Sequence, residues 1–187
     1  MSINLEKGQK INLQKPDGTD LASVFMGLGW DTSGPGGRSI DLDASCAMFD
    51  ANKTLVDTVS FRQLKSRNGD YVRHSGDNLT GAGDGDDEII NVDLHRIPAN
   101  VEQIVFTVNS YQGQTFDKVN NCFCRLVDNV NQSEICTFKL NERGTTNTGL
   151  IMAKLYRHNG KWKMNAIGMP CNGKLIEDIS RDIQTIL

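Results

Sequence analysis

Apolar residues recur at every second position along most of this chain, the spacing of strands whose side chains alternate between two faces. Ile40, Leu42, Ala44, Cys46 and Met48 alternate with Asp41, Asp43, Ser45, Ala47 and Phe49. That pattern predicts one strand with Asp41 and Asp43 on the same side. Ile90, Val92 and Leu94 alternate in the same way, and residues 24–30, 55–61, 101–108, 123–127 and 135–140 read as further strands. Ile3 and Leu5, then Ile11 and Leu13, flank a Lys7-Gly8-Gln9 turn and predict an opening hairpin. Residues 152–156 and 162–167 flank His158-Asn159-Gly160, a second hairpin signal because Asn-Gly tolerates positive φ. Only the tail changes period. Ile176, Ile179, Ile183 and Leu187 share one helical face. The expectation is a mainly β protein, a two-sheet β-sandwich with a short C-terminal helix, forming a single domain over residues 1–187. The stretch 31–39, DTSGPGGRS, reads as a loop.

Composition narrows the function classes. The length of 187 residues suffices for one core. A net charge of −3 provides no global basic field, so no nucleic-acid partner is expected. No apolar run is long enough to span a bilayer. The opening MSINLEKGQK lacks the apolar segment of a signal peptide, so a cytoplasmic location is expected. The five cysteines, Cys46, Cys122, Cys124, Cys136 and Cys171, are odd in number and contain no C-x-x-C. Neither a disulfide framework nor a zinc site is expected from them.

The chemistry concentrates in residues 77–88, DNLTGAGDGDDE. From His74 to His95 there is no Lys or Arg, while Asp77, Asp84, Asp86, Asp87, Glu88 and Asp93 all carry carboxylates. Crowded carboxylates repel and raise one another's pKa values, so a compensating cation is expected. An oxygen-rich loop jointed by glycines suits Ca²⁺, which takes several oxygens in flexible geometry. The run is not an EF-hand. With Asp77 as its first position, Leu79 and Gly81 fall where ligands belong and Ala82 where the turn glycine belongs; starting at Asp84 puts Ile89 at the glycine position. It brushes the calcium-binding nonapeptide of stacked β-helices, but that pattern needs repeats and occurs here once. A phosphate loop fits less well, since no Lys follows the glycines and the carboxylates would repel an anion. A solvated acidic turn is the plain structural alternative. Asp31, Asp41 and Asp43 form a second acidic group that can meet the loop at one end of a sandwich; an exposed strand face is the plain alternative for Asp41 and Asp43.

Long motifs then point to a family. GLGWD at 27–31, DLDAS at 41–45 and SGDN-x-TG-x-GDGDDE at 75–88 closely resemble the TerD domain of tellurium-resistance and general stress proteins. IPANVEQIVFTV at 97–108, FDKVNNCFCRLVDN at 116–129 and LYRHNGKWKMNAIG at 155–168 extend the resemblance over nearly the whole chain. The resemblance implies a cytoplasmic, calcium-binding β-sandwich without an established catalytic activity. It implies one or two Ca²⁺ ions held by Asp31, Asp41, Asp43, Asp77, Asn78, Asp84, Asp86, Asp87 and Glu88, with Gly83 adding a backbone carbonyl. It also implies partnership with other tellurium-resistance proteins and a TerC-type membrane protein. A calcium ion at the loop tip bridging to anionic phosphate would add peripheral membrane contact, although no basic patch near the loop favours it.

Three other functions compete. A small-ligand sensor, for a nucleotide, would use the glycine-rich loop with Arg38, Arg73 and Arg96 as phosphate partners; solvated surface charges are the plainer reading of those arginines. A metal-dependent hydrolase would use paired carboxylates with His74 and His95 at the ends of the acidic stretch, but no G-x-S-x-G, H-E-x-x-H or Walker pattern occurs. Direct handling of tellurite would need a reactive thiol pair. Cys122 and Cys124 face one side of a strand, where packing into the core is the plainer fate.

Overall fold

The structure is a computed structural model that describes residues 3–4, 6–31, 40–82, 85–139 and 146–187. Twelve strands are described: β1 Ile3–Asn4, β2 Lys10–Asn12, β3 Ser23–Asp31, β4 Leu42–Phe49, β5 Leu55–Val59, β6 Val72–His74, β7 Glu88–Asp93, β8 Gln103–Ser110, β9 Asn120–Asp128, β10 Ser133–Lys139, β11 Gly149–His158 and β12 Lys161–Cys171. One helix, α1, covers Ser180–Ile186. The strands form two six-stranded sheets, in the orders β1-β10-β9-β3-β7-β6 and β2-β12-β11-β8-β4-β5. The expected two-sheet sandwich with a short closing helix is therefore what the chain forms. The tail periodicity places Ile176 and Ile179 on the same apolar face as Ile183, but the helix itself starts only at Ser180.

The inward residues of both sheets fill one core. Met26, Leu28, Trp30, Ile90, Val92 and Leu126 from the first sheet meet Leu42, Ala44, Cys46, Met48, Phe106 and Leu155 from the second. Burying such side chains contributes roughly 1.5–3 kcal/mol each. Every residue of β4 is buried, because both of its faces are covered. Its even positions enter the core between the sheets. Ala47 and Phe49 face outward, where Ile176, Ile179 and Ile183 cover them.

The opening hairpin is not formed. β1 pairs in parallel with β10 in the first sheet, while β2 pairs antiparallel with β12 in the second. Each arm extends the edge of a different sheet, and Gly8, with φ of 86°, turns the chain between them. The backbone N–H of Gly8 donates to the carbonyl of Ala166 at 2.7 Å, so the turn is docked on β12 rather than closed on itself. The second hairpin is formed as expected: Asn159 and Gly160 take φ of 52° and 75°, and His158 pairs with Lys161.

All five cysteines are buried free thiols. Burial pushes Cys46, Cys136 and Cys171 up to about 12 and holds Cys122 and Cys124 higher still. Cys122 and Cys124 both point into the core. A buried thiol kept protonated is a poor nucleophile and a poor metal ligand, which leaves direct thiol chemistry without a structural basis.

Candidate metal centre

Two glycines of β3 make room for the acidic loop. Leu28 and Trp30 point into the core, so Gly27 and Gly29 present bare backbone to the outside. The loop lies directly on them. A methyl group at Gly27 would collide with the Asp86 carboxylate, and one at Gly29 with the Gly85 carbonyl and the Phe123 ring. The Gly29 clash involves backbone and cannot be relieved by a rotamer change. Gly29→Ala is therefore expected to lift the loop and destabilise the protein by about 1–3 kcal/mol; a urea melt within 0.5 kcal/mol of wild type, roughly the size of an innocuous surface change, would contradict the packing described.

Trp30 links that strand to the second acidic group. Its indole Nε1–H donates to the carbonyl of Ile40 at 2.9 Å, next to Asp41. Gly81, at φ 62°, lies flat against the indole where a Cβ would clash. The GLGWD motif and the TG step of the acidic loop thus meet around one buried ring.

The expected ligands divide into three groups. Asp41, Asp43 and Asp77 converge: one carboxylate oxygen from each lies within 4.8 Å of the other two. Asp41 and Asp43 are buried, at 5% and 4% exposure, and Asp77 is exposed above them. Asp41 Oδ1 and Asp43 Oδ2 have no hydrogen-bond partner among the described residues. Burial, then the neighbouring carboxylates Glu88, Asp41 and Asp77, push Asp43 up to about 8, with Arg62 pulling weakly the other way. Burial, then Asp77 and Glu88, also raise Asp41. Unpartnered buried carboxylates are costly, and the spacing of these three matches a shared hard cation.

The second group fixes the loop. Asp87 extends the β3–β7 ladder beyond its end: its N–H donates to Leu28 O at 2.8 Å and its Oδ2 accepts from Trp30 N–H at 2.9 Å. Burial raises its pKa, an effect the Trp30 N–H partly offsets and Asp31, Asp86 and Glu88 add to. Asn78 donates to Asp87 Oδ1 through its amide while its Oδ1 accepts from Thr80 and Gly81. Glu88 is fully buried and crosses between the sheets. Its Oε2 accepts from Ala44 N–H at 2.6 Å and lies 3.3 Å from His74 Nε2, and its Oε1 accepts from Asn78 N–H at 3.1 Å. His74 accepts from Gly76 N–H at Nδ1, so its proton sits on Nε2, facing Ala44 O at 3.0 Å. The β4–β5 pairing stops at Cys46, and Glu88 and His74 take the free N–H and C=O of Ala44. They hold the strand that carries Asp43.

The third group points elsewhere. Asp86 forms a two-pronged pair with Arg125, at 2.8 Å from Nε and 2.9 Å from Nη2, and Glu134 flanks the same guanidinium. Asp31 Oδ2 accepts from the Asn121 amide. Gly83, Asp84 and Arg38 lie outside the described residues. Arg96 donates to Gly69 O, and Arg73 is exposed on β6. His95 lines a separate hollow with Asp20, Leu94 and Arg157. The roles of Arg125 and His74 were not visible in the local pattern, since each acts on residues distant in sequence.

The profile of the TerD domain family matches residues 1–182. The tellurium resistance protein TerZ of Serratia marcescens is 46% identical, over 97% of this chain and 96% of its own length. General stress protein 16U of Bacillus subtilis (strain 168) is 42% identical, over 94% of each chain. A crystal structure of a homologue of the telluride resistance protein TerD from Streptomyces coelicolor A3(2) superposes with a TM-score of 0.73 at 23% identity, covering 86% of this chain and 95% of that one. At that identity the likeness concerns the fold.

Proposed function

This chain belongs to the TerD domain family of tellurium-resistance and stress-response proteins, and we propose that it is a non-catalytic, calcium-dependent binding module. The single observation that carries this reading is the buried pair Asp41 and Asp43. Each has an oxygen without a hydrogen-bond partner among the described residues, their carboxylates converge with that of Asp77, and no basic side chain makes an ion pair with any of the three among the described residues. A Ca²⁺ ion held there would remove the mutual repulsion and the burial penalty together.

Asp77 leads directly into the loop that Asn78, Asp87 and Glu88 staple to both sheets. Drawing Asp77 onto an ion shared with Asp41 and Asp43 would tighten that loop against β3. The ordered loop tip, where Leu79 is 58% exposed, then offers a surface for a protein partner. The printed names of the relatives link them to tellurium resistance and general stress. A cytoplasmic location and association with other tellurium-resistance proteins or a TerC-type membrane protein are part of the same proposal. Among the described residues no helix is long and apolar enough to cross a membrane.

The geometry gives the other functions less support. Of the arginines a nucleotide sensor would use, Arg96 donates to Gly69 O and Arg73 is exposed, and the hollow that His95 lines does not include Asp41, Asp43 or Asp77. The test is thermal melting with excess Ca²⁺ and with chelator. Calcium at a hundredfold excess over Kd is expected to add about 2.7 kcal/mol of stability; superimposable melts would overturn the reading.

A further inference from the structure

The β11–β12 hairpin mirrors the acidic stretch in charge. From Gly149 to Cys171 there is no Asp or Glu, while Lys154, Arg157, Lys161 and Lys163 carry positive charge. The fold sorts these residues by face. Leu155, Trp162, Met164 and Ala166 enter the core, so Lys154, Tyr156 and His158 on β11 and Lys161, Lys163 and Asn165 on β12 face outward. Arg157 is drawn aside: it stacks on Trp162, 4.5 Å from the ring centre, and donates to the carbonyls of Val101 and Ile97. On β2, Ile11 packs against the core, which leaves Lys10 and Asn12 outward.

The register assembles one basic face. Lys10 and Lys154 flank Asn165 in a row across three strands, two strand spacings or about 10 Å apart. Lys163 stands in the next outward row, between Asn12 and Tyr156, and Lys161 pairs with His158 at the hairpin end. Burial, then the like charges of Lys53 and Lys10, pull the Lys154 pKa down. Two acids border the face: Asp20, 3.8 Å from Lys161, and the exposed Glu6 in the turn docked on Ala166. Lys10, Lys154 and Lys163 make no ion pair among the described residues. The C-terminal segment leaves this face open. It covers Ala47, Phe49 and Ile151, and its helix ends at Ile186, whose carbonyl accepts from Lys154 Nζ.

The chemistry of the face selects among polyanions. None of the exposed large apolar side chains, Leu55, Leu64, Leu79, Tyr111 and Val130, lies on β2, β11 or β12, so the face lacks the apolar anchor of a protein interface. The Tyr156 ring, on which a nucleic-acid base would stack, is taken by Lys154 Nζ at 5.9 Å. No outward arginine offers a two-pronged grip on phosphate. Hydrated lysine charges spread over a sheet surface suit a partner that is itself an extended anionic surface. We propose that this face docks on a bilayer rich in anionic lipid. Asp43 shares its row with Asn109 and Gly149, at the end of β11 opposite His158, so the metal centre stays away from the contact. The docking needs no calcium and stands apart from the calcium reading above.

The test is co-sedimentation of the full chain with phosphatidylserine–phosphatidylcholine vesicles and with pure phosphatidylcholine vesicles, both in chelator. Binding to the anionic vesicles alone, weakened by added salt, is expected. Each lysine brought to such a surface strengthens binding about fivefold, so the double variant Lys10→Gln, Lys163→Gln is expected to bind about tenfold or more weakly. Lys118 and Lys139 are exposed beside β9 and on β10 of the first sheet. Replacing both with Gln removes the same charge elsewhere and is expected to leave binding as in wild type. Circular dichroism confirms that each variant is folded. Should the first double variant not fold, Lys161→Gln at the exposed hairpin end takes its place, with a several-fold loss expected. No binding to the anionic vesicles, or equal binding to both kinds, overturns the proposal. So does undiminished binding by the face variant, or an equal loss in the Lys118, Lys139 variant. Capture of an RNA oligonucleotide but not of vesicles makes the partner a nucleic acid and overturns the membrane assignment. None of these outcomes bears on the calcium melts, which decide the other reading separately.

Discussion

Without metal, the folded protein is expected to lose stability as pH rises from about 4 to about 8, through Asp43. Its carboxyl is pushed up to about 8 in the folded state, from an ordinary value of 3.8. Between those values the folded chain holds a proton at Asp43 that the unfolded chain has released. The unfolded state therefore binds fewer protons, and stability falls as pH rises. The penalty is absent below the unfolded value and complete above the folded one. Its full size is on the order of a few kcal/mol. Asp41 and Asp87 are raised as well and act in the same direction. Calcium reverses the sign, because a bound cation requires the ionised carboxylate. Below about pH 8, binding should release protons and tighten as pH rises. Urea melts of metal-free wild type and Asp43→Asn across this range provide the check. The wild-type stability should fall relative to the variant with increasing pH; parallel curves would contradict the burial and crowding described for Asp43.

The second large effect concerns Glu88, whose sequence position suggested a metal ligand. The structure gives it another task as well. Glu88→Ala removes the acceptor for Ala44 N–H and Asn78 N–H and the partner of His74 Nε2. All of these contacts lie at or near a fully buried carboxylate. Leaving the N–H groups of Ala44 and Asn78 without an acceptor is expected to cost about 1–3 kcal/mol each. The loss should appear in metal-free protein, where a purely metal-binding acid would show none or would even relieve repulsion. Glu88→Gln retains one oxygen for Ala44 N–H and should fall between. A metal-free Glu88→Ala protein as stable as wild type in urea would show that Glu88 does not hold the two sheets together.

The alternation of apolar residues made most strands legible, and with them the sandwich. Alternation identifies a strand but not its neighbour. Ile3 and Ile11 therefore looked like the arms of one hairpin, although β1 and β2 join different sheets. The three-residue strand β6 is too short to display a period. The acidic motifs drew attention to this region because carboxylates without bases are chemically conspicuous. They did not reveal how the acids divide their work. Asp86 meets Arg125, 39 residues away in sequence, and nothing local to either residue announces the pair. Asp41 and Asp43 were the clearest success of pattern reading: their spacing put them on one face, and the fold adds that the face is covered.

A cation held by Asp41, Asp43 and Asp77 is the centre of the proposed function. Its most direct test is a calorimetric calcium titration of wild type beside the double variant Asp41→Asn, Asp43→Asn. Asparagine preserves size and leaves the fold in place while removing both buried charges. Saturable binding by wild type, lost in the variant, is the predicted result. No heat with wild type, or binding by the variant with unchanged affinity, would contradict it.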